Sequence, residues 1–168
     1  MERPELEQAL ERLHPQSFGW ALACAGRDRD LAEDVLQTAY AAILSGQARF
    51  EGRSSLRTWL FGVIRRTALA ELRRSRRLPD EHGATRAVAD AAPGADHVLE
   101  AAEQRRALLA ALAALSPRQR EVVVLVFYHD LTIEEAASVM EVSLGSARTH
   151  YDRAKKALLA RLSHEVRR

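Results

Sequence analysis

The chain reads as an all-α protein made of two small helical domains joined by a flexible linker, the C-terminal domain being a helix-turn-helix. Three observations carry this expectation. Apolar residues recur at the helical period along most of the chain, and no convincing alternating strand is present. The period is lost between Leu78 and His97, where LPDEHGATRAVADAAPGADH gathers Gly, Pro, Ala and Asp, a linker composition. Residues 132–158, TIEEAASVMEVSLGSARTHYDRAKKAL, have the pattern of two helices around a tight turn. Helices are therefore expected over residues 4–24, 30–45, 55–77, 98–114, 117–129, 132–140 and 144–164. The domains are expected at 1–77 and 98–168, with 78–97 between them.

The opening MERPELEQALERLHP is acidic and amphipathic, and it has neither the basic start nor the apolar run of an export signal. No apolar stretch is long enough to span a bilayer, so a cytoplasmic location is expected. Cys24 is the sole cysteine and sits among Ala21, Leu22 and Ala23, which suits a small buried residue better than a redox centre. The next helix, DLAEDVLQ, places Asp30, Glu33, Asp34 and Gln37 along one side, because spacings of three and four return to the same helical face. Leu31, Val35 and Tyr40 occupy another face. Such a stripe is either merely solvated or the mate of a basic protein surface.

The loop GQARFEGRSS supplies Phe50, Arg53, Ser54 and Ser55, an aromatic with cations and hydroxyls, which is the combination that binds unstacked bases. Trp59 reads as a core residue, whereas Phe50 is open between core plug and stacking group. In the helix that follows, Leu56, Leu60, Val63 and Ile64 are expected to be buried, with Arg65, Arg66, Arg73, Arg74, Arg76 and Arg77 outward or along its end. Late arginines complement the helix dipole, but dipole compensation does not require six of them. Further on, Ser116-Pro117 with Gln119 is a helix-start signature, so the strand-like run VVVLVF is expected to be a fully buried helix.

Thr132 with Glu135 forms a capping box for a nine-residue helix starting at Ile133. Ala136 and Ala137 are small enough to let a second helix cross closely, and Ser143 can cap that second helix. On it Ala147, Tyr151, Ala154 and Leu158 face inward, leaving Arg148, Thr149, Asp152, Arg153, Lys155 and Lys156 outward, a face suited to a major groove.

Charge distribution separates this pattern from an ordinary solvated hairpin. Residues 142–168 hold seven Lys/Arg against Asp152 and Glu165, and residues 49–77 hold nine Arg against Glu51 and Glu71. The other segments are acidic, so a formal total of +2 conceals two basic patches, the footprint of a chain that meets phosphate backbone twice. The six histidines are scattered, with no metal-ligand spacing and no second cysteine, so no metal and no cofactor are expected.

The order of these motifs resembles a family. DLAEDVLQ, then F-x-G-x-S-S-L-x-T-W-L with its basic helix, then a linker, then L-S-P-R-Q-R-E-V and a helix-turn-helix ending RAKKAL is similar to the extracytoplasmic-function group of sigma factors, dissociable promoter-specificity subunits of bacterial RNA polymerase. The resemblance spans about residues 10–162. It implies a first domain that binds core polymerase through Asp30, Leu31, Asp34, Leu36 and Gln37. It further implies contact of Phe50, Arg53, Ser54, Ser55, Arg65, Arg66, Ala70, Arg73 and Arg74 with the minus-ten element, where an extruded non-template base is captured. The helix-turn-helix would bind the minus-thirty-five element through Ser143, Ser146, Arg148, Thr149, His150 and Arg153. The partners implied are bacterial core RNA polymerase, promoter DNA as duplex and as opened non-template strand, and an anti-sigma factor; no membrane insertion and no catalysis are implied.

Four positions depart from the family pattern. Arg66 stands where Asn is usual and Ala70 where Asp is frequent, which changes the hydrogen bonds available at the minus-ten element. Glu141 stands where Gly is common in the turn, and His150 replaces a frequent Arg. The Glu141 substitution is expected to alter the turn's shape, since a left-handed backbone costs a non-glycine residue about 1 kcal/mol. Two rival readings are weighed against the family. A stand-alone helix-turn-helix regulator would use the same residues 132–158, yet it normally dimerises, and no dimer seam is legible. A nucleic-acid enzyme would need a catalytic constellation, which the motifs do not supply.

Overall fold

The computed structural model describes residues 3–76 and 96–165. Those residues contain seven α-helices and one π-helical turn, and no strand among the described residues. Two compact units are present. The expected linker 78–97 lies outside the described residues except for Asp96 and His97, which already belong to a helix; Arg77 also lies outside them.

The first unit is built by α1 (Arg3–Cys24), α2 (Arg29–Leu44) and α3 (Leu56–Ser75), each packed on the other two. Asp28 stops the turn and starts α2, its carboxylate accepting the Leu31 amide at 3.0 Å. Ser55 does the same for α3 through the Thr58 amide at 3.1 Å. Their inward faces place Leu10, Trp20, Ala32, Val35, Leu36, Ile43, Leu60, Phe61 and Ile64 in one core. Trp20 anchors it: the ring stacks on Phe61 and the indole Nε1 donates to the Phe61 carbonyl at 3.0 Å, so its polar handle is satisfied in the dry interior. Cys24 is half-buried, less deep than its neighbours implied.

The second unit holds α4 (Asp96–Ala113), α5 (Pro117–Val123), a π-helical turn (Val124–Tyr128) and α7 (Leu144–Glu165), with α4 and α5 both packed on α7. The start of α5 follows the sequence closely. Ser116 and Gln119 exchange side-chain-to-backbone hydrogen bonds, and Pro117 occupies the first turn. Arg120 has a role that the sequence motif concealed. Its Nε donates to the Leu112 carbonyl at 2.9 Å, and its Nη2 donates to the Ala113 and Leu115 carbonyls at 2.7 and 3.2 Å. One guanidinium thus ties the last carbonyls of α4 and that of Leu115 to the next helix, the Leu112 carbonyl also accepting the Leu115 amide at 3.2 Å.

The run VVVLVF is helical, but it is not fully buried. Val122, Val123 and Leu125 are in the core, whereas the backbone widens to a π-helix at Val124 and turns Phe127 and Tyr128 outward, 62% and 72% exposed. A run of six apolar residues on a helix covers every direction, and only part of that circumference has a neighbour.

In the helix-turn-helix, α6 (Ile133–Met140) begins at the expected capping box, with Glu135 N–H donating to Thr132 Oγ1 at 3.1 Å and Thr132 N–H to Glu135 Oε2 at 2.9 Å. It ends with Val142 N–H on the Ala137 carbonyl and Glu141 N–H on the Ser138 carbonyl, a Schellman closure with Glu141 at φ +55°. The turn therefore keeps the left-handed shape that glycine normally supplies. The expectation of a different shape was wrong because the two closing bonds offset a conformational cost of only about 1 kcal/mol.

Candidate polymerase and nucleic-acid interfaces

On α2, Asp30, Asp34 and Gln37 are exposed and aligned as the spacing required, with Leu31 half-buried beside them. Leu36 is not part of this surface. It falls on the inward stripe Ala32-Val35-Leu36-Ala39-Ile43 and is 4% exposed, so it supports the helix from the core side. Glu33 is held along the helix by Arg29 at 3.1 Å. Around the helix from the carboxylates, Tyr40 lies 3.3 Å from His14 Nδ1. Burial raises the Tyr40 phenol above its ordinary value, and the nearby Ser17 side chain partly opposes the rise.

The loop before α3 and the first turns of α3 form a second surface. Phe50 and Trp59 are both half-buried and pack against each other, their centroids 5.4 Å apart and their planes tilted by 55°. Phe50 is therefore neither a fully buried plug nor a fully free ring: part of it packs on Trp59 and part remains accessible. Arg49, Phe50, Arg53, Ser54, Trp59, Gly62 and Arg66 line one depression. Gly62 lies in its wall, where a Cβ would make only an ordinary contact with the Arg66 guanidinium at 3.8 Å. Neither Trp59 nor Gly62 was singled out for this surface by sequence, because a tryptophan at a core spacing and a lone helical glycine carry no distinguishing signal. Arg53 is exposed and reaches Glu51 at 2.6 Å; the Ser54 hydroxyl donates to the Ser55 carbonyl, and the Ser55 hydroxyl is committed to the helix cap.

Farther along α3, Arg66, Ala70, Arg73, Arg74 and Arg76 are exposed, with Arg74 paired to Glu71 at 2.5 Å. Arg65 does not point outward. Thr58, Phe61, Arg65 and Ala68 share an inward stripe at spacings of three and four, leaving Arg65 4% exposed. The arginine-rich composition masked that periodicity.

The third surface is the outward face of α7. Ala147 and Ala154 are fully buried and permit close packing, while Arg148, Thr149, Asp152, Arg153, Lys155 and Lys156 are exposed and His150 is half-exposed. The hydroxyls are less available than their positions suggest. The Ser143 hydroxyl caps the Ser146 amide at 3.1 Å and donates to the Ser146 hydroxyl at 2.9 Å, and Thr149 Oγ1 donates to the Gly145 carbonyl at 3.0 Å. Among the residues expected at the upstream element, the charged donors are Arg148, with Glu134 of α6 at 3.8 Å, and Arg153. On another side, Phe127 stacks on Tyr151 at 5.8 Å, and Lys155 Nζ sits 4.6 Å from the Tyr151 centroid, a contact set unrecognised in the sequence. Among the described residues there is no cluster of His, Cys, Asp and Glu able to hold a metal ion, and no helix is long and apolar enough to cross a membrane.

A helical unit bearing an acidic stripe beside an arginine-rich helix, followed by a basic helix-turn-helix unit, defines a DNA-reading transcription subunit. Comparison with known proteins specifies the class. The family model described as Sigma-70 region 2 matches residues 9–78, and that described as Sigma-70, region 4 matches residues 105–158. The chain is 32% identical to the ECF RNA polymerase sigma factor SigX of Bacillus subtilis, covering 79% of this chain and 71% of the relative. It is 32% identical to the RNA polymerase sigma factor CarQ of Myxococcus xanthus over 96% and 93%, and 30% identical to the ECF sigma factor EcfG of Rhodopseudomonas palustris over 88% and 80%. The fold matches that of the sigma factor RpoE solved with the anti-sigma factor NepR from Bartonella quintana, with TM-score 0.71, 24% identity and coverage of 95% and 97%. It also matches CnrH in complex with the cytosolic domain of CnrY, with TM-score 0.66, 23% identity and coverage of 97% and 90%.

The chain belongs to the extracytoplasmic-function group of RNA polymerase sigma factors. It is an alternative sigma factor that directs RNA polymerase to promoters, and this reading displaces the stand-alone regulator.

Proposed function

We propose that this sigma factor divides its work among the three surfaces. Residues 1–77 form the unit for core polymerase and the minus-ten element, residues 98–168 form the unit for the minus-thirty-five element, and residues 78–97 connect them. Asp30, Asp34 and Gln37, flanked by Leu31, meet a basic surface of core polymerase. The depression around Phe50, Trp59 and Arg66 takes an extruded base of the non-template strand, with Arg53 and Ser54 at its edge and Arg73 and Arg74 on the backbone. Stacking on an aromatic contributes about 1–3 kcal/mol per base, enough to bias a locally melted step toward opening. Arg148, His150 and Arg153 meet the upstream duplex, while Ser143, Ser146 and Thr149 chiefly hold the start of α7 in shape.

The observation that carries this assignment is the open aromatic pair Phe50–Trp59 in the same depression as Arg53 and Arg66. A duplex-only regulator has no use for it. The bond-making chemistry belongs to the polymerase, and the protein acts in the cytoplasm beside it. A partner of the anti-sigma class is inferred from the complexes in which RpoE and CnrH were solved, because three charged surfaces on a free subunit invite adventitious binding.

Run-off transcription with bacterial core polymerase on a pooled library of genomic promoter fragments tests the whole reading. Starts that share a two-part motif and require the protein are expected. If no start depends on it while the protein alone shifts duplex DNA, the division of labour is refuted.

A further inference from the structure

We infer that Glu134 is a specificity-determining residue that acts by positioning Arg148. The inference rests on the assignment of α7 to the upstream duplex and adds a residue from α6 to it. α6 carries two carboxylates in its first turn, and they are not equivalent. Glu135 closes the capping box on Thr132 N–H. Glu134 has no share in that cap; it is 67% exposed and reaches across to α7, where its Oε1 lies 3.8 Å from Arg148 Nη2.

The geometry gives the contact a consequence on the DNA-facing side. Arg148 is 59% exposed, and Glu134 Oε1 lies at ion-pair distance from its Nη2 without a hydrogen bond, so the donors of the fork remain available to a base edge or a phosphate. An unrestrained arginine pairs with any phosphate within reach, and phosphates carry no sequence information. A carboxylate at one corner of the fork competes with such adventitious contacts and narrows the guanidinium's orientations. A well-aligned pair of hydrogen bonds to a guanine edge still outweighs an exposed ion pair. Glu134 therefore costs some affinity on every sequence and costs least where Arg148 finds its proper base. The neighbouring hydroxyls of Ser143, Ser146 and Thr149 are tied to the start of α7, which leaves the orientation of Arg148 with unusual weight in discrimination.

A simple alternative is that Glu134 merely complements the dipole at the start of α6, or repels phosphate as any surface carboxylate would. A double-mutant cycle separates these. Binding of the assembled polymerase holoenzyme to a duplex carrying the upstream element found by run-off transcription, and to the same duplex scrambled, is measured by fluorescence anisotropy for the wild type, Glu134→Gln, Arg148→Ala and the double variant. Glu134→Gln is expected to tighten binding to scrambled duplex about two- to five-fold, the scale of an exposed ion pair. It should tighten the cognate duplex less, so that discrimination falls, and it should do nothing further in the Arg148→Ala background. The same tightening in both backgrounds means bulk repulsion and overturns the inference, as does a silent Glu134→Gln with an effective Arg148→Ala. An Arg148→Ala variant with unchanged binding to both duplexes refutes the underlying assignment of α7 as well, a failure distinguishable from the other two.

Discussion

Replacing Arg120 with Ala removes three hydrogen bonds at once and tests whether one guanidinium holds α4 and α5 together. Two of the bonds, to the Leu112 and Leu115 carbonyls, are half-buried, and the third, to Ala113, is exposed. Hydrogen bonds to a charged group contribute about 1.5–3 kcal/mol each, but water replaces the exposed one and part of the others. Taking the two half-buried bonds near the lower figure gives a loss of about 2–3 kcal/mol. For a unit of this size that lowers the midpoint of thermal unfolding by about 10–20 °C. Arg120→Lys restores the charge but not the fork, and should recover about a third of the loss. The assay uses the uneven placement of the tryptophans, both of which, Trp20 and Trp59, lie in the first unit. Far-ultraviolet circular dichroism follows both units, whereas tryptophan fluorescence follows the first. Arg120→Ala should shift part of the dichroism transition and leave the fluorescence transition in place. A loss within about 0.5 kcal/mol, the usual range of surface substitutions, refutes the cap, as does an equal shift by both probes.

The same two probes serve several further predictions. Thr132→Ala should cost the second unit about 1 kcal/mol in the dichroism transition, and Thr132→Ser, which keeps the capping oxygen, should cost little; equal losses would remove the hydroxyl from the account. Arg65→Ala should lower the fluorescence midpoint by more than about 1 kcal/mol, since it truncates a buried side chain, while Arg73→Ala leaves that midpoint in place and slows promoter opening. Asp34→Arg should abolish co-elution with core polymerase at unchanged fluorescence stability, and retained co-elution would exclude this stripe from the interface. Tyr40 holds its proton more tightly in the native state than in the unfolded chain, so the first unit should lose stability as pH climbs above the ordinary phenol value of 10.0; Tyr40→Phe should flatten that slope.

Much of the fold was legible because its signals are local. Capping boxes at Ser116 and Thr132 and the helical period of the apolar residues each depend on a few nearby residues. The acidic stripe Asp30-Asp34-Gln37 and the outward residues of α7 were equally legible, since a helix converts spacing directly into direction. What misled was composition read without its surroundings. Arg65 looked like one more surface cation, although its register with Thr58, Phe61 and Ala68 placed it inward. Phe127 looked like core, although a helix that is apolar all round needs neighbours all round.

Sequence by itself thus determined the helices, their order, the outward charge pattern of α2 and α7 and the family, because these follow from periodicity and from motifs a few residues long. Only the tertiary structure decided which half of each apolar run is covered, that Arg120 closes the end of α4, that Phe50 and Trp59 share one depression with Arg66, and that Glu134 stands against Arg148. Each of those depends on where a neighbouring element's surface falls, and a side chain's partners across such a gap are set by packing distance, which residue spacing along the chain does not encode.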